Sequence, residues 1–122
     1  MQTGYLLVKS YKELKVWQRA IQLSLAIYRL TAEFPVEERY GITSQLRRAG
    51  VSIASNIAEG YGRGSRKDYK QFLAIARGST LEVQTQLIIA NELGYCDLPH
   101  LKKTEALSEE VSKMLYALIL KL

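Results

Sequence analysis

The stretch "RRAGVSIASNIAEGYGRGSRKDY", residues 47–69, joins a helical pattern to a glycine-rich turn. Its first half has the spacing of a helix. With Ile42 and Leu46 just upstream, Ala49, Ile53 and Ile57 make one apolar stripe, and Gln45, Arg48, Ser52, Ser55 and Glu59 make a polar, mostly small strip. Gly50, Ala54 and Ala58 leave room for a neighbour to approach the backbone closely. Gly60, Gly62 and Gly64 then fall within five positions. Gly60 is placed to end the helix as the left-handed residue beyond it. Ser65 is placed to cap the next one, with Asp68 near the positive end of its dipole. These glycines are not a phosphate cradle. The dinucleotide fingerprint needs Gly-x-Gly-x-x-Gly after a strand, and a P-loop needs a closing Gly-Lys-Ser/Thr. The stretch is a joint between two helices with cations on both sides of it.

Downstream, Tyr69, Leu73, Ala76, Thr80, Val83, Leu87 and Ala90 repeat at alternating steps of four and three, the seam of a helical bundle. Gly94 stops that helix. Asp97 and Pro99 open a fourth, at its N-cap and near N1, with the stripe Leu101, Leu107, Val111, Met114, Leu118 and Leu122. Upstream, Ser10 to Glu13 has the form of a capping box. The helix after it carries two apolar stripes. One is Leu14, Trp17, Ile21 and Tyr28; the other is Val16, Ala20, Leu23, Ile27, Leu30 and Phe34. That is more apolar surface than one buried face requires. Pro35 marks its end, and the second helix is expected to start after Gly41 with Thr43 or Ser44 as N-cap.

Period-two alternation appears only as a weak hint in the N-terminal residues. The expectation is an all-α, antiparallel up-down-up-down four-helix bundle over residues 10–122, with residues 1–9 a tail of no assigned role. At 122 residues the chain is one domain. No apolar run approaches the length of a membrane span. The first residues lack a basic leader segment, and the apolar run Tyr5–Val8 is too short for a signal peptide. One cysteine, Cys96, cannot form an internal disulfide. The expected setting is cytoplasmic, with no membrane partner.

The inventory for catalysis is thin. There is one histidine, His100, four residues from Cys96 across a turn, and two ligands without acidic partners make a poor zinc site. No metal, cofactor or catalytic residue is expected, and the chain is read as no enzyme. Glu37–Glu38 and Glu109–Glu110 are adjacent pairs that splay apart on a helix. Arg48 and Glu59 lie about three turns apart on one face, so each is expected to pair across to another helix, as is Glu82. Such buried Arg–Glu contacts would fix register rather than do acid–base work.

The chain has 17 Lys+Arg against 12 Asp+Glu, a net charge of +5. Eight of those cations lie between Arg39 and Arg77, against only Glu59 and Asp68. Arg63, Arg66, Lys67 and Lys70 gather where the third helix begins and its dipole favours an anion. With Arg47 and Arg77 they are the candidate contacts to an RNA or DNA backbone. Tyr40 and Tyr61 are candidates for stacking on bases. A solvated basic face, or one that meets an acidic protein, is the alternative reading.

Two segments carry a resemblance: "QLRRAGVSIASNIAEGYGR" (Gln45–Arg63) and "FLAIARGSTLEVQTQL" (Phe72–Leu87). With "LKVWQRAIQLSLAIYRLTAEFP" and "KMLYALILKL" around them, the chain resembles, over residues 10–122, the four-helix-bundle family named for proteins encoded in 23S rRNA intervening sequences. The resemblance implies a homopentamer of antiparallel bundles arranged as a ring or barrel, and no enzymatic activity. A related branch, the accessory variability proteins of diversity-generating retroelements, implies binding to nucleic acid and to a reverse transcriptase. An oligomeric scaffold for such a protein, without a nucleic-acid role, is therefore the alternative function. The family motif falls on Arg48, Ser52, Asn56, Glu59, Gly60, Gly78, Ser79 and Glu82, read as a polar framework joining helices two and three. Gly50 departs from the pattern, where Ala or a similar helix former is expected.

Overall fold

A computed structural model describes residues 9–122, and the expectations for residues 1–8 lie outside them. Four helices follow in order: α1 (Lys15–Thr31), α2 (Ile42–Gly62), α3 (Arg66–Glu92) and α4 (Leu98–Lys121). Short 3-10 turns, Tyr11–Glu13 and Val36–Glu38, precede α1 and α2. No strand occurs among the described residues.

Each helix packs on its two neighbours in the order α1, α2, α3, α4 and back to α1, and the backbones of the diagonal pairs stand farther apart. This is the square, antiparallel arrangement that short connections favour. Two hydrogen bonds fix the register of α2 against α3. Ser79 Oγ donates to Ser52 Oγ at 3.2 Å, and Gln86 Nε2 donates to Gln45 Oε1 at 3.3 Å. The α3 seam of Tyr69, Leu73, Ala76, Thr80, Val83, Leu87 and Ala90 is buried throughout and faces Leu23, Ile27, Leu46, Ile53, Ile57, Val111 and Leu115 in one core.

Of the two apolar stripes on α1, the one from Val16 to Phe34 is buried. In the other, Leu14 is buried, Trp17 and Ile21 are half-buried, and Tyr28 is exposed. Close approach of α1 and α2 accounts for Gly50. A Cβ there would lie 2.7 Å from Ile27 Cδ1 and 3.6 Å from Ser24 Cα.

Three local expectations are corrected. Ser10 does not cap α1; its hydroxyl accepts from Lys12 N and caps the 3-10 turn, so α1 starts beyond Leu14. The N-cap of α2 is Gly41, and neither Thr43 nor Ser44 fills that role, because both lie inside the helix and Thr43 turns into the core with its hydroxyl unpaired. Gly60 does not end α2. It is a buried helical residue, and a Cβ on it would meet Phe72 Cβ at 2.5 Å, so it is a crossing point for α3. The left-handed residue of this turn is Gly64, at φ +81°. The Ser65, Gly94 and Asp97 assignments match: Ser65 accepts from Asp68 N, Gly94 has φ +78°, and Asp97 accepts from His100 N.

On α4 the buried seam runs Leu101, Thr104, Ser108, Val111 and Leu115. Leu107 and Met114 pack only partly against the core. Among the described residues no helix is long and apolar enough to cross a membrane.

Candidate nucleic-acid interface

Antiparallel packing gathers one end of α1, α2, α3 and α4 around the turn Arg63–Ser65. Charge follows from this. The turn supplies Arg63, Arg66, Lys67 and Lys70. The start of α1 and the segment before it add Lys9, Lys12 and Lys15, and the end of α4 adds Lys121. Eight cations thus meet three carboxylates, Glu13, Glu59 and Asp68. Packing of the Tyr11–Glu13 turn on α2 holds Lys12 near this end. At the opposite end Glu33, Glu37, Glu38, Glu92 and Asp97 offset Arg29, Arg39, Lys102 and Lys103. The bundle is therefore positive at one end and close to balanced at the other.

Four lysines of this cluster, Lys9, Lys12, Lys15 and Lys121, escape a reading of the sequence because they are remote in the chain. Only the bundle's connectivity brings them together. Lys67, Lys70, Lys12, Lys15 and Lys121 are exposed, and Arg66 is half-buried.

Arg63 is held in place. Its Nη2 donates to Glu59 Oε2 at 2.8 Å, and its Cζ lies 4.8 Å from the centre of the Phe72 ring. Arg47 and Arg77 do not join the cluster. Arg47 sits sixteen residues before Arg63, about 24 Å away at the helical rise. Its Nε donates to Thr31 Oγ1 at 2.8 Å and its guanidinium covers the Tyr28 ring at 4.6 Å. Arg77 covers Tyr116 at 4.9 Å, with its Nε buried and unpaired. Both serve to pack aromatic side chains.

The tyrosines divide similarly. Tyr61 stands edge-on to Tyr69 at 5.9 Å, and Tyr40 is 89% exposed but lies at the far end, before α2.

The polar residues on α2 and α3 share one face without forming one network. Ser52 Oγ accepts from Asn56 Nδ2 at 3.0 Å and from Ser79. Glu82 accepts from Gln86 Nε2 at 3.2 Å, and that amide also reaches Gln45. Gln45 and Gln86 carry no sequence signal as linkers, because only the register reveals them as partners. The expected buried Arg–Glu pairs are absent among the described residues. Glu59 pairs along its own helix with Arg63, both half-exposed, and Arg48 and Glu82 are exposed without an ion pair. A helix face this close to solvent has no need to neutralise them.

Two groups outside this region have shifted proton affinities. The Cys96 thiol is raised by partial burial, with Glu105 and Asp97 adding to it. The Tyr95 hydroxyl is raised by its hydrogen bond to Glu38. His100 Nδ1 contacts Asp97, and no group of three or more His, Cys, Asp or Glu is placed to hold a metal among the described residues.

Comparison with curated proteins gives no match. Among solved structures, the crystal structure of a protein of unknown function from the S23 ribosomal protein family of Bacteroides thetaiotaomicron superposes with a TM-score of 0.76. It is 23% identical, and the match covers 85% of this chain and 97% of that one, so it shares the fold. The sequence profile of the 23S rRNA-intervening sequence proteins matches residues 12–117, nearly the whole bundle. With that span matched, the chain belongs to the family of 23S rRNA-intervening sequence proteins.

Proposed function

We propose that this protein is a non-enzymatic, homo-oligomeric binder of RNA or DNA that presents the positive end of its bundle to the phosphate backbone. The observation that carries the reading is the convergence of Lys9, Lys12, Lys15, Lys67, Lys70 and Lys121 on one end, from three separate parts of the chain. A cluster that draws on three helix ends concentrates field where a polyanion docks, and the contact is to phosphate rather than to base edges.

Self-association is supported by a second, outward seam on α3. Gln71, Ile75, Gly78, Glu82, Thr85, Ile89 and Glu92 repeat at steps of four and three and are all exposed, with Leu81 and Ile88 beside them. A Cβ at Gly78 would meet nothing within 4 Å, so packing inside the bundle does not account for this mid-helix glycine. The family resemblance favours five copies, in a closed ring. Copies related by rotation about an axis along the bundles would present their positive ends on one side of such a ring.

Light scattering coupled to size exclusion, run with and without a structured RNA at low salt, tests this directly. The expected result is a multiple of the chain mass that increases when RNA is added. A monomer that leaves RNA unshifted would overturn the proposal.

A further inference from the structure

The cations of the positive end are not equivalent, and Arg63 differs from its lysines in two ways. Its charge is already compensated by Glu59, at 2.8 Å. Its guanidinium is also fixed in space, with one edge on that carboxylate and the group lying over the Phe72 ring at 4.8 Å. About half of the Arg63 side chain remains exposed. A compensated cation is a poor phosphate clamp. A planar guanidinium held over an aromatic ring, with its remaining surface open, is instead a platform on which a flat π-system stacks.

We infer that Arg63, backed by Phe72 and held by Glu59, is a stacking site for an unpaired nucleobase, set among the lysines that hold the flanking phosphates. The inference rests on the nucleic-acid reading above and deepens it, by specifying single-stranded or looped nucleotides rather than the outside of a duplex. Three features support it. The turn that presents Arg63 contains Gly62 and Gly64, a Cβ at either would meet nothing within 4 Å, and the Arg63 side chain itself is 49% exposed, so neither glycine position is crowded and the guanidinium is accessible. Exposed Lys67 and Lys70 stand in the first two turns of α3, beside Phe72 in sequence and on the same end of the bundle. A base inside a helix has both faces covered, so only an unpaired base has a free face for such a site.

The Glu59 carboxylate has a positioning role. It fixes the guanidinium plane and accepts one donor, and no proton transfer is asked of it. Because the site reads a π-face rather than an edge pattern, all four bases are expected to bind, with purines tighter through their larger area.

The test compares a short single-stranded oligoribonucleotide with an abasic strand carrying the same number of phosphates, by fluorescence anisotropy at low salt. The wild-type protein is expected to bind the base-bearing strand about tenfold more tightly, in line with the worth of one stacked base. Arg63→Lys keeps the positive charge but removes the plane, and it should bring the two strands to equal affinity while binding of the abasic strand holds. The mild change at an exposed position keeps the bundle intact, which circular dichroism verifies. If Arg63→Lys leaves the ratio of the two affinities unchanged, the stacking site is overturned and backbone binding stands. If neither strand binds the wild-type protein, the nucleic-acid reading fails and the stacking site fails with it.

Discussion

The Tyr95 hydroxyl donates a 2.8 Å hydrogen bond to the Glu38 carboxylate and so ties the α3–α4 connection to the α1–α2 connection. Glu38 also accepts from Ile42 N, the first residue of α2, and Gly41 lets its carboxylate lie close to the backbone. The Tyr95 ring tilts against Phe34 at 5.6 Å, closing the end of the bundle opposite the positive one.

This pairing predicts a signature at alkaline pH. The hydrogen bond to Glu38 raises the Tyr95 hydroxyl above its usual value of 10.0, so the folded chain holds that proton more tightly than the unfolded one. The stabilisation is fully present below the unfolded value and disappears as pH rises through the folded one. The stability difference between wild type and Tyr95→Phe, measured by urea unfolding, should be constant up to about pH 9 and shrink above about pH 10. A difference that stays constant through that upper range would show that Glu38 does not hold this proton.

Two glycines predict opposite responses to alanine. At Gly60 an added Cβ would meet Phe72 Cβ at 2.5 Å and Tyr69 O at 3.3 Å, so α2 and α3 must move apart. Gly60→Ala should destabilise by about 1–3 kcal/mol, the usual cost of overpacking. At Gly78 the Cβ is unopposed, and the helix gains up to about 1 kcal/mol from alanine over glycine. If α3's outer seam is where copies meet, Gly78→Ala should weaken the assembly in light scattering while leaving the helical content intact. Equal thermal shifts of the same sign for both variants would contradict this assignment.

Ser108 predicts a gain. Its Oγ is fully buried on α4 and has no hydrogen-bond partner. Ser108→Ala removes an unsatisfied polar atom at little cost in volume and should be neutral or stabilising by up to about 1 kcal/mol in urea unfolding. A destabilisation of more than about 2 kcal/mol would mean that the hydroxyl has a partner in solution.

Much of this architecture is legible in the residues. The α3 seam can be read completely because all seven positions are apolar or threonine at regular steps. The α4 seam can be read only in part. Thr104 and Ser108 are polar yet buried, and Thr104 meets its hydrogen-bonding need by donating to His100 O, so a search for apolar residues passes over both. Gly60 misleads because a glycine before a turn looks the same whether it adopts a left-handed conformation or admits a neighbouring helix. Only the position of Phe72 separates the two cases.

For the candidate interface, the local cluster Arg63, Arg66, Lys67 and Lys70 is visible as a run. Lys9, Lys12, Lys15 and Lys121 are invisible as members, since their proximity is a product of topology. Arg47 and Arg77 count as charges in the sequence, whereas in the fold their guanidinium groups cover Tyr28 and Tyr116.

In the proposed function the lysines of one end, and not the net charge of the whole chain, bind the nucleic-acid backbone. The most direct test of this is the salt dependence of RNA binding by a Lys12→Gln, Lys15→Gln, Lys67→Gln, Lys70→Gln variant, set against an Arg39→Gln, Lys102→Gln, Lys103→Gln variant at the opposite end. The predicted result is that every phosphate-binding lysine removed from the positive end lowers the log–log slope by about 0.7 to 0.9, with the opposite-end variant keeping the wild-type slope. Equal slopes for the two variants would contradict it.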